Sequence, residues 1–423
     1  MRPQPHDQRI HRRRCLTPEP LFTRRRIIVL AVCVGIFALG QFHRASGAVF
    51  SPILMARFDA SAATIGGLVS AMFLATVIAQ APFGVLLDRF GPRYVIAGCL
   101  SMIAAGAALF ALGETFEALL ASRIMIGIGA ASMGAATHVI IARTFPARDF
   151  GYISGLVVTI GGVGGLLGSY PLSVALERLP WALVFGAVAA VTVGLTIAIL
   201  TAIRGEGPAP RPAEGAPTGG YLTLLRSAEF LKILAMAIVT WAPITAISGL
   251  WGGPYLQDAL GLAPEPAGAV LSLMFVMTLS GGYVFGVLDR RMTSRRLLIF
   301  AGAGLSMGSL FLLAALPAPQ PAIAIGLLLA MMFSQQFYIP LAAHMRKVSP
   351  DHILGRASTL MTLVAVAAIP TMQAAIGALL DLTAAAGLGV TDQYRVVWAA
   401  MGGLILICGA IYASARDVNE TQT

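Results

Sequence analysis

Long apolar runs separated by short polar stretches make up most of this chain. An α-helix needs about 20 apolar residues to cross the hydrocarbon core of a bilayer. The pattern predicts twelve such spans, at 27–53, 64–87, 94–112, 119–142, 150–175, 181–202, 231–256, 267–288, 297–316, 322–345, 357–380 and 394–415. The polar stretches between these runs are too short to form a soluble domain, so we expect an all-α membrane protein.

The sixth and seventh spans are separated by the longest internal polar break. It contains GEGPAPRPAEGAPTGG, and a segment this rich in proline and glycine is typical of a flexible linker. We therefore expect two six-helix bundles joined by a cytoplasmic linker and flanked by two cytoplasmic tails. The corresponding ranges are 1–26 (basic tail), 27–202 (first bundle), 203–230 (linker), 231–415 (second bundle) and 416–423 (tail).

Composition agrees with a chain that lies in lipid. Hydrophobic residues make up 57% of it, charged residues 11%, and the mean hydropathy is +0.81. Soluble domains carry about 25% charged residues, so another apolar phase has to cover this surface. The net charge of +10 comes from short basic clusters between the apolar runs rather than from one basic face. This distribution argues against a nucleic-acid-binding protein.

The basic residues also predict the orientation. With the N-terminus inside, 24 of the 29 fall on the predicted inner side and three on the outer side. Cytoplasmic loops are enriched in Lys and Arg, so we expect a multi-pass protein of the cell (inner) membrane with both termini cytoplasmic. About 26 mostly polar residues precede the first apolar run, which favours a retained helix over a cleaved signal peptide.

The two halves of the chain carry a repeated loop. GVLLDRFGPR at 84–93 follows the second span, and GVLDRRMTSRR at 286–296 follows the eighth. Their aspartates, Asp88 and Asp289, lie 201 residues apart. A repeated six-helix unit is typical of transporters built from two pseudo-symmetric bundles.

The charges in these loops are candidates for conformational gating. Asp88 ends the second span beside Arg89 and Arg93, and Asp289 is followed by Arg290. Such a cluster can form a charge lock that is made in one state and broken in another. The alternative is that these residues are ordinary positive-inside anchors.

Several motifs resemble those of the major facilitator superfamily. The match rests on the loop Gly84–Arg93, on RIMIGIGAA (Arg123–Ala131), on LWGGPYLQDALGL (Leu250–Leu262), on GRASTLMTL (Gly355–Leu363) and on FHR (Phe42–Arg44). The last three are similar to the bacterial branch with nitrate/nitrite and organic-anion carriers. The resemblance implies a major facilitator fold, alternating access by rocker-switch motion, and a central cavity lined by helices 1, 4, 7 and 10.

This sequence also departs from the family pattern. Ile126 stands where the family usually has Gln, and the second loop lacks the FGPR ending. The Gly-Pro motif of drug antiporters is absent from span 5, which reads TIGGVGGLLGSYP (Thr159–Pro171). The asparagine-bearing glycine signature of the nitrate carriers is missing as well, which argues against nitrate as the cargo.

Arg44 is the principal candidate for substrate binding. It lies about one turn to the outer side of the middle of span 1, where an unpaired charge costs about 3 kcal/mol or more. No Asp or Glu lies in the core of any span to pair with it. A guanidinium with five donors suits a carboxylate, and the resemblance implies an anchor at this FxR position. Alternatively, Arg44 snorkels outward or bonds backbone carbonyls.

Two neighbouring positions leave alternatives open. The resemblance implies that Arg123 bonds to nearby backbone and aids conformational coupling, but a near-interface arginine could equally snorkel. His43 could carry a proton near neutral pH, although the adjacent cation disfavours the charged form. A lone helix histidine is more often a hydrogen-bond donor.

Further polar and aromatic side chains near the middle of spans 1, 7 and 10 are cavity candidates because polar groups at mid-depth usually face the bundle interior. Each could equally serve as a hydrogen bond between helices. These candidates are Gln41, Trp241, Thr245, Gln335, Gln336 and Tyr338.

The sequence therefore favours a secondary active transporter for a small organic anion, with a proton or a counter-anion as the candidate coupling partner. The alternative is a multidrug-type exporter of amphiphilic or cationic compounds, which usually places an acid in the membrane core. A receptor or scaffold would not need the doubled loops, and no catalytic dyad supports an enzyme. We expect no cofactor, metal or nucleic-acid partner, and a monomer surrounded by lipid.

Overall fold

The computed structural model describes residues 22–146, 149–202, 220–292, 294–316, 320–349 and 354–415. Most of the predicted basic tail and linker, and the whole predicted C-terminal tail, lie outside these ranges. The described part is helical, as predicted.

The first half contains six membrane-crossing segments, which we number α1 to α6. They are α1 (Arg24–Ala45 and Gly47–Phe58), α2 (Ala62–Phe90), α3 (Pro92–Leu112), α4 (Phe116–Ala130 and Met133–Thr144), α5 (Phe150–Gly161, Val163–Leu167 and Tyr170–Arg178) and α6 (Trp181–Ala202). Three of them, α1, α4 and α5, are interrupted along their length.

The second half repeats this arrangement after a short helix at Gly220–Arg226. Its segments are α7 (Ala228–Ala259), α8 (Pro264–Arg291), α9 (Arg295–Ala315), α10 (Pro321–Ser334, Gln335–Phe337 and Tyr338–Val348), α11 (Leu354–Ala385) and α12 (Val390–Ala413). Eleven segments of the described chain are individually long and apolar enough to cross a bilayer. The remaining one, α4, is broken into two shorter pieces that cross together, so all twelve predicted spans are present.

Local hydrogen bonding explains where many helices begin. Ser and Thr side chains accept bonds from the free backbone N–H groups of a first turn, which is the usual N-cap arrangement. This occurs at Thr23, Ser61, Thr115, Ser227 and Ser294. Within the spans, hydroxyls such as that of Thr192 bond the carbonyl one turn earlier, so they remain satisfied in an apolar surrounding.

Two spans are irregular where they cross. The two pieces of α1 meet at Ser46, whose hydroxyl donates to the carbonyl of His43 at 3.3 Å. In α7 the helix widens into π turns at Ile247–Trp251 and Tyr255–Ala259, on either side of Gly252–Pro254. Proline has no N–H to donate and π turns mark irregular helix, so glycine and proline account for this local geometry.

Contacts between the two halves follow a pseudo-twofold pattern. Helix α2 packs along α11, and α5 packs against α8. Because α8 is the counterpart of α2 and α11 the counterpart of α5, these two contacts are equivalent. Helix α1 packs against its own counterpart, α7. This arrangement of two six-helix bundles confirms the predicted fold class.

The α1–α7 contact is made by backbone atoms. A side chain on Gly253 would overlap the carbonyl oxygen of Ala48, and one on Gly47 would overlap that of Gly249. A Cβ on Gly249 would lie 2.7 Å from the carbonyl oxygen of Arg44. Glycine is therefore required for the second piece of α1 to approach α7 this closely.

These contacts lie toward one end of the molecule. We call the end that carries Arg24, Arg93 and Arg295 the basic end, and the end that carries Arg57 and Glu265 the opposite end. The Gly–backbone contacts involve the second piece of α1, which runs from mid-depth to the opposite end. The α1–α7 contact therefore holds the two bundles together between Arg44 and the opposite end.

We expect Gly253→Ala to lower the thermal unfolding midpoint of the detergent-purified protein, because an added methyl group overpacks the α1–α7 contact. Overpacking of this kind costs about 1–3 kcal/mol. Gly304→Ala on α9 is the matched control, since a Cβ there meets nothing within 4 Å. Equal midpoints for the two variants would show that the backbone contact is looser than described.

Candidate functional site

Arg44 is exposed although it lies deep within the helix array. Along α1 it is about 27 Å from Arg26 and about 20 Å from Arg57, at 1.5 Å per residue. A guanidinium at this depth is costly to expose to lipid, so its exposure favours an aqueous space beside it, between the bundles. Its Nη1 lies 3.5 Å from Oε1 of Gln41, one turn earlier. The predicted pair of Arg44 and Gln41 is therefore brought together.

The backbone of Arg44 marks the closed end of that space. Its carbonyl oxygen lies against Gly249 on α7, where the two bundles meet. Since Cα–Cβ bonds in a helix tilt toward its N-terminus, the side chain leans away from the contact and toward the basic end. The aqueous space therefore extends from Arg44 toward the basic end.

The wall on the second bundle is partly aromatic. The rings of Trp241 on α7 and Tyr338 on α10 lie 4.4 Å apart between centroids, tilted by 36°. The Tyr338 hydroxyl is 3.2 Å from that of Thr362 on α11, so the pair joins three helices. Thr245 is half-buried one turn beyond Trp241. The structure brings these three predicted residues onto neighbouring surfaces.

The adjacent glutamines on α10 have different environments. Gln335 is fully buried and its amide nitrogen donates to the carbonyl of Val239 on α7 at 2.6 Å. Gln335 therefore forms a hydrogen bond between helices, which was the alternative to its lining the cavity. Gln336 is half-buried against α8, where a Cβ on Gly281 would lie 3.0 Å from its Cγ. Gln336 thus packs between α8 and α10.

His43 and Arg123 are buried together between α1 and α4. His43 is 5% exposed and Arg123 only 1%. The Arg123 Nη2 donates to the His43 carbonyl at 3.4 Å, and its guanidinium lies 5.3 Å from the centre of the Phe50 ring. Arg123 is therefore not a snorkelling residue but bonds to neighbouring backbone. His43 lies on a different side of α1 from the exposed Arg44.

The predicted gating residues are described only in part. The side chains of Asp88 and Arg290 lie outside the described part of the structure. Arg89 is exposed and lies over the Phe90 ring at 5.3 Å, while Arg93 donates to the carbonyl of Leu200 on α6 at 2.5 Å. The charge lock itself stays a prediction.

The second repeat of the loop has its own ion pair. Asp289 accepts from Nε of Arg295 at 3.1 Å. Both belong to the second bundle, so this pair connects α8 with α9. The partner lies six residues further along the chain.

Sequence reasoning missed the polar contacts that join the bundles at the opposite end. Asp381 near the end of α11 accepts from the backbone N–H groups of Ala62 and Ala63, at 2.9 Å each. On the equivalent pair, the Tyr170 hydroxyl of α5 donates to Glu265 of α8 at 2.8 Å. The sequence does show Asp381 as an acid near the end of a span. Its partner could not be predicted, because that partner is the start of a helix 319 residues away.

The charges near mid-depth are basic. Asp and Glu residues of this chain lie in loops or near span ends, and none accompanies Arg44 or Arg123 at mid-depth. Two arginines without an acidic partner raise the local potential, which favours a bound anion. A carboxylate could accept two parallel bonds from the Arg44 guanidinium.

Two curated relatives are similar to part of this chain. An uncharacterized MFS-type transporter of Mycobacterium tuberculosis is 27% identical over 214 residues, which are 49% of this chain and 28% of that protein. The riboflavin transporter RibZ of Clostridioides difficile is 23% identical over 214 residues, 50% of this chain and 45% of that protein. The matched regions span less than half the length of either relative.

Among solved structures, a bacterial homologue of the human lysosomal transporter Spinster, in an inward-facing and unoccupied conformation, has a similar fold. The TM-score is 0.72, with 17% identity, 93% coverage of this chain and 97% of that chain. At this identity the likeness concerns the fold alone. The sequence profile of the Major Facilitator Superfamily matches residues 30–372, which is most of the chain. This protein is a member of the Major Facilitator Superfamily of transporters.

Proposed function

We propose that this protein is a secondary active transporter that moves a small organic anion across the cytoplasmic membrane by rocker-switch alternating access. The observation that carries the proposal is the exposed Arg44 guanidinium at mid-depth. Among the described residues its side chain bonds Gln41 and no Asp or Glu, so an anionic group of the cargo is the partner that its charge favours. One chain supplies the whole site, consistent with a monomer.

The orientation gives the state of the transporter. Under the positive-inside rule the basic end is cytoplasmic, and both termini lie on that side. The space at Arg44 then opens to the cytoplasm, and the Gly253–Ala48 contact closes it to the outside. In this interpretation the structure is an inward-open state, and outward opening requires the bundles to separate along α1 and α7.

The polar contacts at the opposite end stabilise that inward-open state. Asp381 places a carboxylate on the first turn of α2, where free N–H groups and the helix dipole favour negative charge. The equivalent start of α8 is held by Tyr170 and Ser173 of α5, the latter donating to the carbonyl of Pro264 at 2.8 Å. Rotation of the bundles to the outward-open state has to break both sets of contacts.

A multidrug-type exporter of amphiphilic or cationic compounds is the second candidate. The aromatic pair of Trp241 and Tyr338 would suit such compounds. A cationic cargo would have to bind beside Arg44, which pairs with no Asp or Glu among the described residues, and this repulsion disfavours the exporter. Coupling to a proton or a counter-anion is compatible with either direction of transport.

Arg44→Ala should abolish the stabilisation of the full-length purified protein by organic anions. A thermal-shift screen against monocarboxylates, dicarboxylates and organic cations measures this, followed by flux of the best anion in proteoliposomes. We expect at least a tenfold loss of flux, because a bidentate carboxylate contact is removed. Arg57→Ala is the charge-matched control, since Arg57 lies at the opposite end over the Phe58 ring. Anion flux equal to the parent in Arg44→Ala, or stabilisation by cations alone, would contradict the proposal.

Asp381→Ala should favour opening at the opposite end. The readout is the labelling rate of Ala62→Cys by an impermeant maleimide, in a background without the four native cysteines. Ala62 is 8% exposed in the parent and bonds Asp381 through its backbone N–H, which the substitution keeps. We expect labelling to become severalfold faster. Asp392→Ala is the control, because that acid pairs with Arg395 within α12. Equal rates in the two variants would show that the Asp381 contact does not hold this end closed.

A further inference from the structure

The aromatic pair of Trp241 and Tyr338 lies on the second bundle at the boundary of the space that contains Arg44. Both side chains are half-buried, so part of each ring is uncovered. Their mutual contact and the Tyr338–Thr362 hydrogen bond hold the rings in place. An ordered ring pair of this kind presents a rigid aromatic surface.

The position of Trp241 on α7 shows which way this surface faces. Between residues 235 and 248 the partly exposed residues of this helix follow one stripe at helical spacing: Ala235, Ile238, Trp241, Thr245 and Ser248. The stripe ends beside Gly249, where α1 crosses α7. The same face of α7 therefore meets α1 at the opposite end and borders the open space toward the basic end. Packing against α11 and α12 covers other sides of α7.

The rings lie nearer the basic end than the backbone of Arg44. Trp241 precedes Gly249 by eight residues, or about 12 Å along the axis. The Arg44 backbone is at the level of Gly249, and its side chain leans toward the basic end, which is toward the level of Trp241. A positive donor group and a flat aromatic surface thus face one another across the space, separated by a short distance along the membrane normal.

We propose that the cargo is an aromatic carboxylate, with its carboxylate bound by Arg44 and Gln41 and its planar ring packed against Trp241 and Tyr338. This inference rests on the proposed function and narrows its substrate class. Ring stacking discriminates a planar group from an aliphatic group of the same size. The two contacts together select for both charge and planarity.

The test uses the full-length purified protein and two matched ligand series. Benzoate, phenylacetate, 3-phenylpropionate and 4-phenylbutyrate form the aryl series, and the corresponding cyclohexyl acids keep the charge and carbon skeleton without the π system. Isothermal titration measures their dissociation constants. We expect at least one aryl acid to bind at least tenfold more tightly than its cyclohexyl partner, and the corresponding aryl amide not to bind measurably.

Variants assign the two contacts separately. Trp241→Leu should abolish the aryl preference while leaving binding of the cyclohexyl acid within about threefold, and Trp241→Phe should retain most of the preference. Arg44→Ala should weaken both acids equally. Tyr283→Leu is the aromatic control, because Tyr283 on α8 is 76% exposed. It should leave both affinities unchanged.

The outcomes separate this inference from the proposed function. Equal binding of aryl and cyclohexyl acids, lost in both cases in Arg44→Ala, would overturn the aromatic class and keep the anion site. An aryl preference that survives Trp241→Leu would likewise overturn it. Binding of the aryl amide as tight as that of the acid, unaffected by Arg44→Ala, would overturn the proposed anion function itself.

Discussion

A polar group inside a bilayer has no water to bind, so the protein itself has to satisfy it or provide an aqueous space. This constraint accounts for the fold and for the site. Hydroxyls within the spans bond carbonyls of their own helix, Gln335 bonds a carbonyl of the neighbouring helix, and Arg123 bonds that of His43. Arg44 differs from these residues because its guanidinium remains exposed. The same rule that buries the others indicates an aqueous space at this position.

The fold could be predicted because lipid imposes a simple pattern on sequence. Spans of about 20 apolar residues and basic loops are visible without any tertiary information. The predicted spans agree with the observed helices, although most helices extend several residues further, as α11 does to Ala385. The added residues lie at span ends, where hydrogen bonding continues the helix beyond the apolar run.

The site could be predicted only in part, because hydropathy does not report which face of a helix a residue occupies. Gln335 and Gln336 are chemically identical and adjacent, yet one bonds to α7 and the other packs on α8. His43 and Arg44 are adjacent as well, and only Arg44 is exposed. A break in the helix at Gln335–Phe337 changes the direction of the side chains there, and no spacing rule anticipates it.

The closure at the opposite end was harder to predict because its partners are distant in sequence. Asp381 could be recognised as an acid near a span end, but its contact with the start of α2 depends on the packing of the two bundles. Likewise, the sequence alone indicates only that glycines in α1 and α7 allow close helix packing. The structure shows the specific contact, in which the carbonyl of Ala48 lies against Gly253.

The contact between Gly253 and Ala48 has an evolutionary consequence. It consists of main-chain atoms, whereas the wall around Arg44 consists of side chains. Under the proposed function, point substitutions in the wall can therefore alter which compound is accepted while the α1–α7 contact keeps its shape. The α1–α7 contact and the substrate preference can therefore evolve separately. Related proteins can keep the same conformational change while they bind different substrates.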